Sequence, residues 1–155
     1  MLSWLFFGSL ISSLLPEHGG PKMNRIDTLF TKLKAEGRCA MIAYITGGDP
    51  TLSASVKIAL ALERSGVDIL ELGIPFSDPL ADGSTIQAAA GRALATGASV
   101  SGVLDLIREI RQSSQIPIVL FAYLNPIYTY GFKKFQMDAI AAGADGLLLL
   151  DLPPQ

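Results

Sequence analysis

Cysteine and histidine are almost missing from this 155-residue chain, with Cys39 and His18 the sole examples of each. One cysteine closes no intramolecular disulfide, and one histidine builds no histidine-based metal cluster, so a disulfide-rich miniprotein and a histidine metal centre are both excluded. Charge is sparse too. Twelve Lys+Arg stand against 14 Asp+Glu, a net charge of −2 with a pI near 5.3, and no basic cluster is present, which argues against an electrostatic nucleic-acid binder. What is abundant is apolar: 50% of residues are hydrophobic, 17% are charged and the mean hydropathy is +0.42. Such a chain is not a disordered segment and has apolar surface for one core. The expectation is a metal-free cytoplasmic protein.

Residues 1–22 stand apart from the rest. Leu2 to Leu15 is an apolar stretch with Trp4, Phe6 and Phe7, but its 14 residues fall short of the roughly 20 that span a bilayer. No Lys or Arg precedes Lys22, so the basic region that opens a secretory signal is lacking. Glu17 to Lys22 reads as linker. From Met23 an amphipathic helix begins, with Ile26, Leu29, Phe30 and Leu33 on one face. Translation is expected to start at Met23, with residues 1–22 upstream sequence and residues 23–155 the folded part; N-terminal mass spectrometry of the native product distinguishes this from a start at Met1.

Beyond Met23, strand and helix alternate. Ala40 to Thr46 is a short apolar run closed by Gly47-Gly48, as a buried parallel strand requires. Asp49-Pro50 offers an N-cap and a first-turn proline for a helix to about Ser65. Val67 to Leu72 is the second strand, followed by helical pattern over Thr85–Leu94 and again at Val103, Leu104, Ile107 and Ile110, which share one face. Ile116 to Tyr123 is the third strand, Phe132–Ala142 a helix and Gly146–Leu150 the fourth strand. Gly66 to Leu72 echoes Gly143 to Leu149, each a helix end running into a strand. Strict alternation implies a parallel sheet with right-handed crossovers. A doubly wound sheet fits the alternation, yet the first strand-to-helix turn lacks the G-x-G-x-x-G phosphate fingerprint. In an eight-stranded barrel the chemistry lies at the C-terminal ends of the strands.

That is where the acids collect. Glu71 stands in an otherwise apolar strand, and a buried charge must be paired, protonated or functional. The plain alternative is a carboxylate satisfied by an arginine or a backbone group. The segment from Gly73 to Ser84 that follows is much longer than the usual ~2–6 residue connection. It carries Asp78 and Asp82, each by default a turn or capping residue. Together with Glu71 they suit general acid/base chemistry, in which one pKa is raised and another carboxylate stays ionised. A divalent-metal site is the less favoured alternative, since prolines and a single loop supply few converging oxygens.

Leu70 to Gly83, followed by Thr85-Ile86-Gln87, closely resembles the signature of the tryptophan synthase α chain. The likeness runs from about Arg25 to Pro154 and includes Tyr44 to Pro50, Ala122 to Pro126 and Asp151 to Pro153. Ser84 stands where the family commonly has proline. The resemblance implies a (β/α)8 barrel acting as a lyase of tryptophan biosynthesis, which cleaves indole-3-glycerol phosphate to indole and glyceraldehyde 3-phosphate without a cofactor. It makes Glu71 the acid/base and Asp82 the acceptor of the indole N–H, with Tyr44 and Tyr123 against the substrate. It assigns Asp78 and Asn125 to the surface facing a β subunit, which carries pyridoxal phosphate in an α2β2 tetramer; for Asn125 a turn role before proline is the alternative.

Residues 23–155 hold four strands, whereas such a barrel needs about 250 residues. The expectation is therefore the first four βα units, with two open strand edges and the phosphate-holding loops beyond Gln155. Two other readings stay open: a noncatalytic chain that only docks on a β subunit, and another phosphate-binding barrel lyase or isomerase.

Overall fold

Short apolar runs become strands and the periodic stretches between them become helices over residues 24–152, the part described by the computed structural model. In chain order these are α1 (Arg25–Ala35), β1 (Ile42–Thr46), α2 (Leu52–Arg64), β2 (Ile69–Gly73), α3 (Ser84–Ala95), α4 (Val100–Arg111), β3 (Ile118–Ala122), α5 (Leu124–Tyr130), α6 (Phe132–Ala142) and β4 (Gly146–Leu149). The boundary expected at Met23 lies outside the described residues. All four strands are parallel and stand in the order β1-β2-β3-β4. Consecutive order is what half of a (β/α)8 barrel shows, whereas a doubly wound sheet builds outward from a central strand in both directions.

Register sorts the side chains onto two faces, because successive residues of a strand point opposite ways. Tyr44, Glu71, Val119 and Gly146 form one row across the sheet, and Thr46, Gly73, Phe121 and Leu148 form the next row on the same face. Leu70, Leu72, Ile118 and Leu120 lie on the opposite face and are fully buried. They meet α4, whose Val103, Leu104, Ile107 and Ile110 are all buried along the face that their spacing implied. Each such side chain removed from water contributes about 1.5–3 kcal/mol, so the outer layer is where the fold gains its stability. The face bearing Tyr44 and Glu71 is only half-buried. Among the described residues β1 and β4 each pair on one side, and Met41 before β1, Ile42 at its start and Met137 and Ile140 on α6 are exposed.

The sequence echo has a physical cause. Gly66 and Gly143 end their helices at φ +98° and +93°, and two residues on an aspartate accepts a hydrogen bond from the entry of the neighbouring strand. Asp68 Oδ2 takes the Met41 N–H at 2.8 Å, and Asp145 Oδ2 takes the Ile118 N–H at 2.9 Å. Arginines then neutralise both: Arg38 forks onto Asp68 at 3.0 and 2.7 Å, while Arg111 and Arg25 reach Asp145 at 2.8 and 2.9 Å. Hydrogen bonds from Arg38 and then from the Met41 amide hold the Asp68 carboxyl below its ordinary pKa. A carboxyl depressed in the folded state adds stability above the unfolded value near 4, and that stability is lost as pH falls through the folded value. The difference in Tm between the natural chain and Asp68→Asn is therefore expected to be widest near neutral pH and to close as pH falls through the lowered folded value. A difference that stays constant with pH would show that the carboxylate charge is not the cause.

Three local expectations need correction. Asp49 is not the cap of α2: Thr51 is, its Oγ1 accepting from Ala54 N at 3.1 Å. Threonine caps nearly as well as aspartate, and Asp49 is instead taken by Arg92 of α3 through two 2.8 Å bonds. Asn125 is not a turn residue but the second residue of α5, because proline is tolerated in the first helical turn where its missing N–H would have had no partner. Phe30 is 48% exposed, and of the face expected on α1 only Leu33 is fully buried. That helix lies at the entry of β4, tied by Arg25 to Asp145 and Gln115, and not across the main core.

Candidate active site

The strand ends converge on one mouth. Glu71 is the central residue of β2, flanked in register by Tyr44 and Val119, and it is the one residue of that strand that is not fully buried. No hydrogen bond or ion pair from another described residue claims its carboxylate, so the arginine or backbone partner of the plain alternative is not found. An unclaimed carboxylate between an aromatic and a branched aliphatic side chain is available to a reacting molecule.

Tyr44 leans across the neighbouring strand. Its ring meets Phe121 edge-on at 5.5 Å and its hydroxyl lies 3.3 Å from Thr46 Oγ1. A Cβ added at Gly73 would sit 2.2 Å from the phenol oxygen and 2.7 Å from the ring carbon that bears it. Glycine follows Leu72 because Tyr44 occupies the space a side chain would need. Burial pushes the Tyr44 pKa up; the Thr46 hydroxyl opposes this, and the charge of Asp82, the Tyr123 hydroxyl and the charge of Glu71 add to it. The phenol therefore keeps its proton at neutral pH and serves as a donor.

The loop after β2 folds back over the same mouth. Tyr123, 6% exposed at the end of β3, accepts the Ala81 N–H on its hydroxyl at 2.9 Å and packs against Phe76 with ring centroids 5.4 Å apart. Its pKa is raised, chiefly by burial, with the Ala81 amide opposing and Asp82 adding. Asp82 is half-buried and acts on both phenols, so the structure brings Glu71, Asp82, Tyr44 and Tyr123 together.

Asp78 does not join them. It is exposed and accepts from the neighbouring Ser77 hydroxyl, which corrects the expectation of three converging acids: the loop turns at Pro79 and sends Asp78 outward. Asn125 is exposed as well, its Oδ1 accepting from Thr129 at 3.2 Å. With Pro75, Phe76 and Ser77 it borders an open cleft of about 460 Å³ on the outside of the mouth. A smaller cleft of about 270 Å³ lies along β1 beside Tyr44 and Thr46. Among the described residues no group of three His, Cys, Asp or Glu is placed to hold a metal ion, and no helix is long and apolar enough to cross a membrane.

Thr46, Phe121 and Gln87 also belong to this region. Thr46 lies two residues after Tyr44 on one strand and Phe121 two residues after Val119 on another, so the period of two placed them on the inner face. Gln87 left no such signal, because its partners are backbone carbonyls. Ser84 opens α3 at its first position, after Gly83 in extended backbone, which is where proline is favoured.

Comparisons with known proteins bear on the family and the fold. A sequence profile of the tryptophan synthase alpha chain matches residues 30–155. The alpha chain of Citrifermentans bemidjiense is 49% identical over 133 residues, 86% of this chain and 50% of that one. That of Caldanaerobacter subterraneus is 53% identical over 131 residues, again half of its length. The crystal structure of tryptophan synthase subunit alpha from Legionella pneumophila superposes with a TM-score of 0.83 at 47% identity, over 85% of this chain and 51% of that one. The chain spans about half the length of the relatives it matches, and on sequence and fold alike it belongs to the tryptophan synthase alpha chain family.

Proposed function

We propose that these residues form the proton-transfer half of a site that cleaves indole-3-glycerol phosphate to indole and glyceraldehyde 3-phosphate. The observation that carries this reading is the unclaimed Glu71 carboxylate on the inner face, with Asp82 folded back beside the same two tyrosines. Glu71 in its acid form protonates ring carbon 3 of the indole. As carboxylate it then takes the proton of the adjacent glycerol hydroxyl. The carbon–carbon bond breaks, its electron pair neutralises the cationic ring, and the hydroxyl carbon leaves as the aldehyde. Asp82 accepts the indole N–H and steadies the ring cation, a charge that exists only along the reaction path. Tyr44 and Tyr123 border the ring. No cofactor enters the step.

Asp78 and Asn125 are both exposed, Asn125 on the lining of the outer cleft, and suit contact with a β subunit that carries pyridoxal phosphate, in an α2β2 tetramer working in the cytoplasm. The test joins residues 24–152 to the second half of a relative's alpha chain and follows indole release from indole-3-glycerol phosphate. Turnover is expected; a folded chimera without it sinks the reading. Co-purification of the 155-residue chain with a relative's β subunit checks the partner separately, and absence of binding at micromolar concentration removes that role.

A further inference from the structure

Asp82 is useful only if it stays where the inner face can use it, yet it sits on a connection with Leu80 at its tip 92% exposed. Holding one backbone residue in place costs about 1–2 kcal/mol, so an untied loop would not keep the carboxylate there. Two groups from rigid elements touch the residues around it. From one side, the Tyr123 hydroxyl at the end of β3 accepts the Ala81 N–H at 2.9 Å. From the other, Gln87, in the first turns of α3, donates through Nε2 to the Asp82 carbonyl at 2.8 Å and approaches the Pro79 carbonyl at 3.5 Å. The Asp82 N–H itself donates to Pro79 O at 3.0 Å, so the Gln87 amide bridges both carbonyls of a turn that the backbone has already closed.

We propose that Gln87 and Tyr123 are positioning residues that clamp the turn Pro79–Asp82 from α3 and β3 and so hold Asp82 at the mouth. This rests on the role proposed above for Asp82, but the clamp itself is a property of the free protein. Neither group reaches Asp82 through its reactive carboxylate alone: one fixes the peptide before it and the other fixes its own carbonyl. The two anchors come from different elements, so the turn cannot swing about either one.

Gln87→Met removes the donor while keeping a straight side chain that favours helix, and Tyr123→Phe removes the acceptor while keeping the ring against Phe76. Each loses one hydrogen bond, a change of roughly tenfold in the opening equilibrium. In the 155-residue chain, amide hydrogen exchange at Ala81 and Asp82 is expected to rise about tenfold in either variant, while the amides of Leu72 and Leu120 stay protected and so report that the fold is intact. In Gln87→Met the ¹³Cγ resonance of Asp82 should move toward its position in the urea-unfolded chain, although Gln87 bonds only backbone carbonyls and not the carboxylate. Unchanged exchange at Ala81 and Asp82, or an unmoved Asp82 resonance, overturns the clamp. Because neither readout uses the substrate, a chimera that releases no indole would count against the proposed reaction and leave the clamp to be judged by exchange alone.

Discussion

Glu71→Gln is expected to lower indole release by the chimera roughly a thousandfold, within the 10²–10⁴ range of general acid/base groups, with KM little changed. The amide has almost the shape of the carboxyl but neither gives up nor takes a proton at ring carbon 3. Stability should hold, since among the described residues the carboxylate has no hydrogen-bond or ion-pair partner that the amide would lose. Removing an unpaired charge from a strand whose other residues are buried is neutral or slightly favourable. The contrast between intact melting and lost turnover is what identifies chemistry and not folding. Turnover within tenfold of the parent would remove Glu71 from the reaction. Loss of turnover together with a fall in Tm would instead make it a structural residue.

How legible this site was depends on where its physics is written. Glu71 was readable because a charge in an apolar strand is costly and position within the strand points to the mouth. Gly73 was present in the signature, but its reason, the phenol of Tyr44 lying where a Cβ would be, needs the neighbouring strand in register. Asp78 and Asp82 look alike in sequence and part ways only when the loop turns, one bonded to Ser77 and the other brought back under Tyr123.

The fold shows the same division. Helix α6 runs from Phe132 to Ala142 as its spacing implied, bracketed by Gly131 and Gly143, both at positive φ. Strands β1 and β3 start later than their apolar runs, at Ile42 and Ile118, where an aspartate side chain takes the entry N–H, that of Met41 and that of Ile118. Capping of α2 was decided by Arg92, 43 residues away from Asp49, and no local pattern carries that.

Asp145→Ala is expected to destabilise the fold by about 3 kcal/mol or more, read as a lower urea midpoint at unchanged slope. The side chain is 4% exposed and accepts three hydrogen bonds, from Ile118 N, Arg111 and Arg25. Arg25 is 36% exposed and can turn to water, so its loss matters little. Arg111 cannot, at 10% exposed, and burial already pushes its pKa down against the pull of Asp145. Its bonds to the carbonyls of Gly143 at 3.0 Å and Ile116 at 2.6 Å survive, which satisfies donors but leaves the charge with only the weaker pull of Glu63. That places the loss at the lower end of the roughly 3–5 kcal/mol for breaking a buried pair, still a large share of the 5–15 kcal/mol that holds a domain together. Asp145→Asn should fall between, since its amide oxygen can still accept the Ile118 N–H. Asp68→Ala should cost less than Asp145→Ala, because Arg38 is 49% exposed and recovers hydration. Equal losses at the two aspartates would mean that the strand-entry bond, common to both, carries the energy and that the buried arginine does not.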